Sequence, residues 1–351
     1  MTTEQLQDKC RGSLVGGAVG DALGYPIEFI YSFEEIRAKY GEKGLAEYDM
    51  SYPWLEDCRR RYKALFSDDT QMTLYTAEGL LEAYKNGYPL MPAICNAYIA
   101  WLGPQIGKKV HISYESKLAK IVELNQCRAS GNTCLTALNA IRCGRKPDNT
   151  SNGCGGIMRI APIGIFGATR GWDLEKTGQT AGDAAELTHR HKMSTFASAV
   201  QAMIIQQCIL AENKIGAAEF KDIVEKAIER LPAMYPGDEA LLEDFNKLIG
   251  EAIRLEGNLQ QDWEIIENGL GGGWVAEETL AISIFSVLRH IDDFKACMIS
   301  AVNHGGDSDS TGAVAGNIIG AILGYDAIPD EFTESIQLHD LLIEMADKMT
   351  E

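Results

Sequence analysis

Glycine falls at positions 12, 16, 20 and 24 near the start of the chain, and again at 312, 316, 320 and 324 near its end. A step of four keeps residues on one face of a helix, so each ladder is a stripe without side chains. A glycine inside a helix costs up to about 1 kcal/mol relative to alanine. Two stripes of four are wasteful unless another backbone approaches closely there. The spacing therefore predicts two buried, tightly packed helices, each a candidate partner for the other. If they meet, the two ends of the chain converge on one place.

Helical periodicity dominates the rest. Residues 69–84, 181–210, 217–231, 276–290 and 312–323 carry apolar side chains at three- and four-residue intervals. Alternating Val, Ile and Thr runs that would mark strands are nearly absent. The expected fold is all-α, a single compact orthogonal helical domain over residues 1–351. No low-complexity tract or clear linker interrupts it. Residues 41–61 lack periodicity and read as a long surface excursion, the kind of loop that often serves as a lid or binding segment.

Charge excludes some functions. The chain has 351 residues with 50 acidic and 32 basic side chains, for a net charge of −18. Nucleic-acid affinity comes largely from Lys and Arg displacing counterions, so a nucleic-acid partner is not expected. An anionic membrane surface is disfavoured for the same reason. The one basic run, Arg59-Arg60-Arg61, is too short to reverse this and reads as a solvated face. No apolar leader follows Met1, and the most apolar long stretch, 312–328, is broken by Asn317 and Asp326. Nine cysteines with no C-x-x-C pair argue against a disulfide framework or a zinc site. A cytoplasmic monomer with mostly buried thiols is the expectation.

Two acidic clusters stand out. Ser67-Asp68-Asp69-Thr70 precedes an amphipathic helix, and His304-Gly305-Gly306-Asp307-Ser308-Asp309-Ser310-Thr311 precedes the C-terminal ladder. Ser and Asp are favoured helix caps, and carboxylates gain from the helix dipole. A cap needs one such residue, however. Four carboxylates with adjacent hydroxyls resemble a site for a hard cation such as magnesium or manganese. Two ions about 3.5–4 Å apart can activate one water and hold a sugar's oxygens. His304 reads as a capping or packing residue.

At this point the sequence resembles the ADP-ribosylglycohydrolase family. The resemblance rests on Gly16-Gly17-Ala18-Val19-Gly20-Asp21-Ala22-Leu23-Gly24, Glu28, Ser67-Asp68-Asp69-Thr70 and Gly306-Asp307-Ser308-Asp309-Ser310-Thr311-Gly312, in the family's order. It is extended by Gly155-Gly156-Ile157-Met158-Arg159-Ile160-Ala161-Pro162, by Thr188-His189 and by Gly271-Gly272-Gly273-Trp274-Val275-Ala276-Glu277-Glu278. It implies an all-α fold with a dinuclear magnesium or manganese centre at loops and helix N-termini. Ser67, Asp68, Asp69, Asp307, Asp309 and Ser310 would be the metal ligands. Glu28 would touch a metal or its water as base or gate, and Asp69 would share in catalysis. Gly153, Cys154, Gly155 and Gly156 would lie against the ADP-ribose through backbone amides. His189 would sit near the phosphates or distal ribose.

Two departures touch the substrate side. Cys154 occupies a position where many relatives carry Asn, and Arg190-His191-Lys192 replace small turn residues. Other residues keep two readings. Asp21 either reaches the metals or holds the following turn. Arg159 neutralises a phosphate or pairs with a buried acid. Trp274 stacks on adenine or, the favoured reading, anchors the core. Cys154 as a nucleophile has no supporting His-Cys signature.

The resemblance implies a hydrolase that removes ADP-ribose from a modified side chain, arginine before others, at C1 of the proximal ribose. Carboxylates near an oxocarbenium-like C1 would stabilise its charge. The alternatives are another ADP-ribose conjugate (serine, O-acetyl-ADP-ribose or a small guanidine), or a non-catalytic ADP-ribose binder or toxin-immunity protein. The partner is an ADP-ribosylated protein or small conjugate.

Overall fold

The computed structural model describes residues 1–51 and 63–351. In chain order its longer helices are α1 (Thr3–Gly24), α2 (Phe33–Tyr40), α3 (Asp68–Asn86), α4 (Leu90–Gln105), α5 (Asn132–Arg142), α6 (Ala161–Thr169) and α7 (Leu174–Glu186). They continue with α8 (Lys192–Leu210), α9 (Ala217–Ile228), α10 (Glu239–Leu255), α11 (Ala276–Arg289), α12 (Phe294–Val302), α13 (Ser308–Leu323) and α14 (His339–Thr350). Among the described residues extended pairing is limited to two isolated bridges, Ala64 with Ile336 and Gly153 with Val275. The all-α expectation is met.

The glycine ladders face each other. α1 starts at a capping box of Thr2 and Gln5 and runs antiparallel to α13. Gly12 lies against the carbonyl of Gly320, Gly16 against Gly316 and Gly20 against Gly312. Any Cβ on these residues would overlap the facing carbonyl oxygen, which is why the stripe has none. Within the same seam Asn317 Nδ2 donates to Ser13 O at 2.8 Å. From residue 12 in α1 and residue 308 in α13 almost every residue is buried, so the pair forms the central axis of the molecule. The N-terminus of α13 is thereby brought beside Gly24 and the turn that follows α1.

Two helix expectations need correction. The periodic run 181–210 is two helices, because residues 187–191 leave the helical path. Asn149 Nδ2 donates to the carbonyl of Thr188 at 3.0 Å, and His191 caps α8 by accepting from Met193 N. The run 217–231 ends at Ile228, and a separate turn with Pro232 begins at Leu231. Among the described residues one helix, α8, is long and apolar enough to cross a membrane, and it is largely buried in the fold.

Residues 41–51 are irregular. They dock through Leu45, whose backbone N–H and carbonyl are both held by the side chain of Asn303, at 2.6 and 2.9 Å. The rest of the 41–61 excursion, and the Arg59-Arg60-Arg61 run, lie outside the described residues.

Candidate metal centre and binding loop

Ser67 is the N-cap of α3, its Oγ accepting from Asp69 N at 3.2 Å. That leaves the carboxylates of Asp68 and Asp69 without a capping duty. The turn is held from outside by Asp21 of α1. Asp21 Oδ1 accepts from Ser67 N at 2.7 Å, and Oδ2 accepts from Thr70 N at 2.9 Å and Thr70 Oγ1 at 2.6 Å. Asp21 therefore fixes the Ser67–Thr70 turn, rather than the turn that follows it in sequence. Arg128, also buried, supports the same segment by donating to Phe66 O at 2.9 Å, while its carbonyl accepts from Asp68 N.

The second cluster opens α13. Asp307 precedes that helix without a side-chain cap bond. Gly305 and Gly306 pack against the backbone of Tyr31 and Gly272 so closely that neither admits a Cβ. The two clusters meet: Ser310 Oγ donates to Asp69 Oδ2 at 2.8 Å across 241 residues of sequence. Carboxylate oxygens of Glu28, Asp307 and Asp309 lie within 4.8 Å of one another. Two helix N-termini point their positive ends at this group.

All of these carboxyls are buried, and among the described residues none forms an ion pair with a lysine or arginine. Burial, then mutual repulsion, raises the carboxyls of Glu28, Asp21, Asp68, Asp69 and Asp307, with Asp309 the leading charge in each case. Burial also raises Asp309. Glu28 is 7% exposed and its Oε2 has no hydrogen-bond partner among the described residues. An orphaned buried carboxylate among oxygen donors of one sign fits a divalent cation, whose charge would favour the ionised forms. His304 lies outside this group. Its Nε2 contacts Ala301 O and Thr311 Oγ1, and burial pushes it down to about 4, as expected for a packing residue.

The Gly153–Gly156 loop closes over the cluster. Cys154 Sγ sits 2.8 Å from Asp307 Oδ2. Two of the loop's amides are committed: Gly153 N donates to Ser151 Oγ and Cys154 N to Trp274 O. His189 lies beneath the loop, close enough that a Cβ on Gly155 would come within 2.8 Å of its Cε1. Its Nδ1 is 2.9 Å from Thr188 Oγ1, and burial, with the nearby charge of Arg159, pushes the ring down to about 3, so it is neutral.

Arg159 pairs with no buried acid among the described residues. It is fully buried and donates to Thr188 Oγ1 at 2.6 Å and Ala184 O at 3.2 Å, with its guanidinium 4.3 Å above the ring of Tyr98. It positions the Thr188-His189 turn from behind the site.

Trp274 is not a core residue. It is 38% exposed and stacks with Phe29 at 6.2 Å, beside Tyr31 at 6.4 Å. The cause is the Gly271–Gly273 loop, whose amides at 272 and 273 are held by Glu278 Oε2. That clamp turns the indole outward over the segment after Glu28. Phe29 and Tyr31 are 59% and 68% exposed, so three aromatics line the rim. Glu267 joins the same rim to α13 by accepting from both Phe33 N and Gly305 N. Arg128 and Glu267 carry no motif of their own.

Comparison with known proteins agrees with this geometry. The sequence model of the ADP-ribosylglycohydrolase family matches residues 2–351. The ADP-ribosyl-dinitrogen reductase glycohydrolase of Rhodospirillum rubrum is 24% identical, covering 96% of this chain and 93% of that protein. The ADP-ribosylarginine hydrolase Tri1 of Pseudomonas putida is 23% identical, covering 99% of this chain and 80% of its own. Among solved structures, an ADP-ribosylglycohydrolase-related protein complex aligns with a TM-score of 0.66 and 23% identity, covering 99% of this chain and 98% of that one. The helical fold is thus shared, and the family match runs through both acidic motifs and the loop between them. The chain belongs to the ADP-ribosylglycohydrolase family, hydrolases that act on ADP-ribose conjugates.

Proposed function

We propose that this protein removes ADP-ribose from ADP-ribosylated arginine, cleaving the N-glycosidic bond at C1 of the proximal ribose. The observation that carries it is the Ser310–Asp69 hydrogen bond, which joins the two acidic clusters around the unpaired Glu28. Ser67, Asp68, Asp69, Asp307, Asp309 and Ser310 would hold one or two divalent cations, magnesium or manganese. Divalent metals are general in the family; when bound they lower the pKa of a water and orient sugar hydroxyls.

The chain's own residues do the rest. Glu28 lies beside Asp307 and Asp309 with one oxygen uncommitted, placed to orient the attacking water and take its proton. The surrounding carboxylates favour positive charge developing at C1 as the guanidine departs. His189, being neutral, adds no cation of its own and supports the loop that receives the diphosphate. Arginine as acceptor is supported by the name of the Pseudomonas putida relative and by the rim of Phe29, Tyr31 and Trp274, since a guanidinium stacks well on aromatic faces.

The test is release of free ADP-ribose from an ADP-ribosylarginine peptide with magnesium, with manganese and with EDTA. Release is expected only with metal. In Asp69→Ala and Asp309→Ala it should fall at least about a hundredfold, the upper end of what loss of a group supporting a metal ligand costs. Release from an ADP-ribosylserine peptide or O-acetyl-ADP-ribose alone would overturn the acceptor and keep the hydrolase. Binding of ADP-ribose without release from any conjugate would replace the hydrolase by a binder.

A further inference from the structure

We infer that Arg159 and Thr188 are positioning residues that fix the ring proton of His189 on Nε2, so that the ring presents an N–H donor to an oxygen of the ligand received by the Gly153–Gly156 loop. That this ligand is ADP-ribose rests on the reading above; the place of the proton does not.

The first observation is the hydrogen bonding at Thr188 Oγ1. A hydroxyl has one proton to donate and lone pairs to accept with, whereas a guanidinium only donates. Arg159 Nη2, 2.6 Å away, therefore takes a lone pair of Oγ1. The hydroxyl proton has two acceptors in reach, His189 Nδ1 at 2.9 Å and Ala185 O at 3.5 Å. Ala185 O already accepts from Thr188 N at 3.1 Å and from His189 N at 2.9 Å, which fills both its lone pairs. A separation of 3.5 Å is also beyond the usual O–H···O range. The hydroxyl thus donates to Nδ1. A neutral imidazole whose Nδ1 accepts carries its proton on Nε2.

The second, independent observation is where Nε2 points. His189 is 3% exposed, and its Nε2 has no hydrogen-bond partner among the described residues. A Cβ on Gly153 would stand 3.3 Å from Nε2 and one on Gly155 3.2 Å from it, so this nitrogen is aimed at the loop. A buried N–H without an acceptor is costly, and a ligand oxygen lying in the loop would supply one. Arg159 is itself held from behind. Its Nη2 also donates to Ala184 O at 3.2 Å, its Nη1 faces Met72 Sδ and Cys134 Sγ at 3.4 and 3.5 Å, and its guanidinium lies over the ring of Tyr98. Burial first, and the Arg159 charge second, disfavour another proton on the imidazole. The competing account is the other tautomer, with Nδ1–H donating to Thr188 Oγ1 and Nε2 left as an acceptor.

Ring-nitrogen NMR of histidine-labelled, full-length protein separates the two, because a protonated ring nitrogen resonates far from an unprotonated one. His189→Phe identifies the ring among the others, and Thr188→Val, Thr188→Ser and Arg159→Met are recorded beside it. The expected native pattern is one neutral tautomer, with the proton on Nε2 and Nδ1 shifted as a hydrogen-bonded acceptor. Thr188→Val should move Nδ1 to the position of an unpartnered nitrogen, Thr188→Ser should restore it, and Arg159→Met should bring in the Nδ1–H tautomer. Affinity for ADP-ribose, measured by calorimetry, should fall about tenfold or more in His189→Phe and in Thr188→Val, the worth of one hydrogen bond to a charged group, and return in Thr188→Ser. A native ring with its proton on Nδ1 would overturn the inference. An Nδ1 resonance unmoved in Thr188→Val would overturn Thr188 as its donor, and a ring unchanged in Arg159→Met would overturn the part given to Arg159. Native affinity in His189→Phe would overturn the contact with the ligand. ADP-ribose bound by none of these proteins would overturn the ADP-ribose reading, while the native spectrum would still decide the tautomer.

Discussion

Asp21 and Asp309 are buried carboxyls of the same cluster, yet their surroundings give them opposite energetic signs. Asp21 receives three donors from the Ser67–Thr70 turn, and removing it strands two backbone N–H groups and a hydroxyl in the interior. Each stranded group costs about 1–3 kcal/mol. Asp21→Ala should therefore destabilise the protein by about 2–5 kcal/mol once partial rehydration is allowed for. Asp309 is instead the leading charge raising its neighbours, and Asn can keep its short Oδ1 contact to Ser310 N. In EDTA, Asp309→Asn should melt at or above the native temperature while metal-dependent release of ADP-ribose is lost. Thermal unfolding of the two variants beside native protein checks the pair, and a lower melting temperature for Asp309→Asn in EDTA would remove repulsion as the dominant effect. The carboxylates were legible in the sequence because two clusters exceed what two helix caps require. Arg128 and Glu267 were not, since each acts on backbone groups brought in by distant segments and sits in no local pattern.

At the scale of elements, the α1–α13 seam is what turns two motifs far apart in sequence into one centre. Alanine normally improves a helical glycine by up to about 1 kcal/mol, and Gly250, exposed on α10 with nothing near its missing Cβ, should gain in that way. In the seam a methyl meets a facing carbonyl and the helices must part, a strain of about 1–3 kcal/mol or more. Gly12→Ala and Gly20→Ala should both lower the unfolding midpoint in urea, whereas Gly250→Ala should raise it. Gly20 lies one turn from Gly24 and faces Gly312, one turn from Ser308, so its variant should also weaken metal binding in calorimetry. Gly12→Ala, at the far end, should leave metal affinity close to native. Equal losses of affinity in both would mean that the seam does not set the gap between the clusters. The seam was legible because a helix stripped of side chains every fourth residue gains only if another backbone comes close along that stripe. The break between α7 and α8 was not. Thr188 to Lys192 are all polar, which an exposed turn of one long helix would show as well, and it is Asn149, from another segment, that holds this backbone outside the helix. The outward turn of Trp274 was hidden for a related reason: three glycines before a tryptophan do not show which way Glu278 will turn them.

For the molecule as a whole, a cation and protons compete for the same buried carboxyls. Without metal, burial and repulsion lift Asp21 to about 7 and Asp68 to about 8 from ordinary values near 3.8. Between those limits the folded chain binds more protons than the unfolded one, and stability falls as pH rises. Metal-free protein should therefore have a lower melting temperature at pH 8 than at pH 5, a trend that a net charge of −18 reinforces. A divalent ion reverses the local logic by favouring the ionised carboxylates. At a hundredfold excess over its dissociation constant it adds about 2.7 kcal/mol, a rise of a few degrees in melting temperature. That rise should be larger at pH 8 than at pH 5, because at pH 5 protons hold part of the ligand set. Melting curves at both pH values, with EDTA and with magnesium or manganese, read this directly. A metal shift that is absent at both, or larger at pH 5, would show that the convergent carboxyls are not where the cation binds.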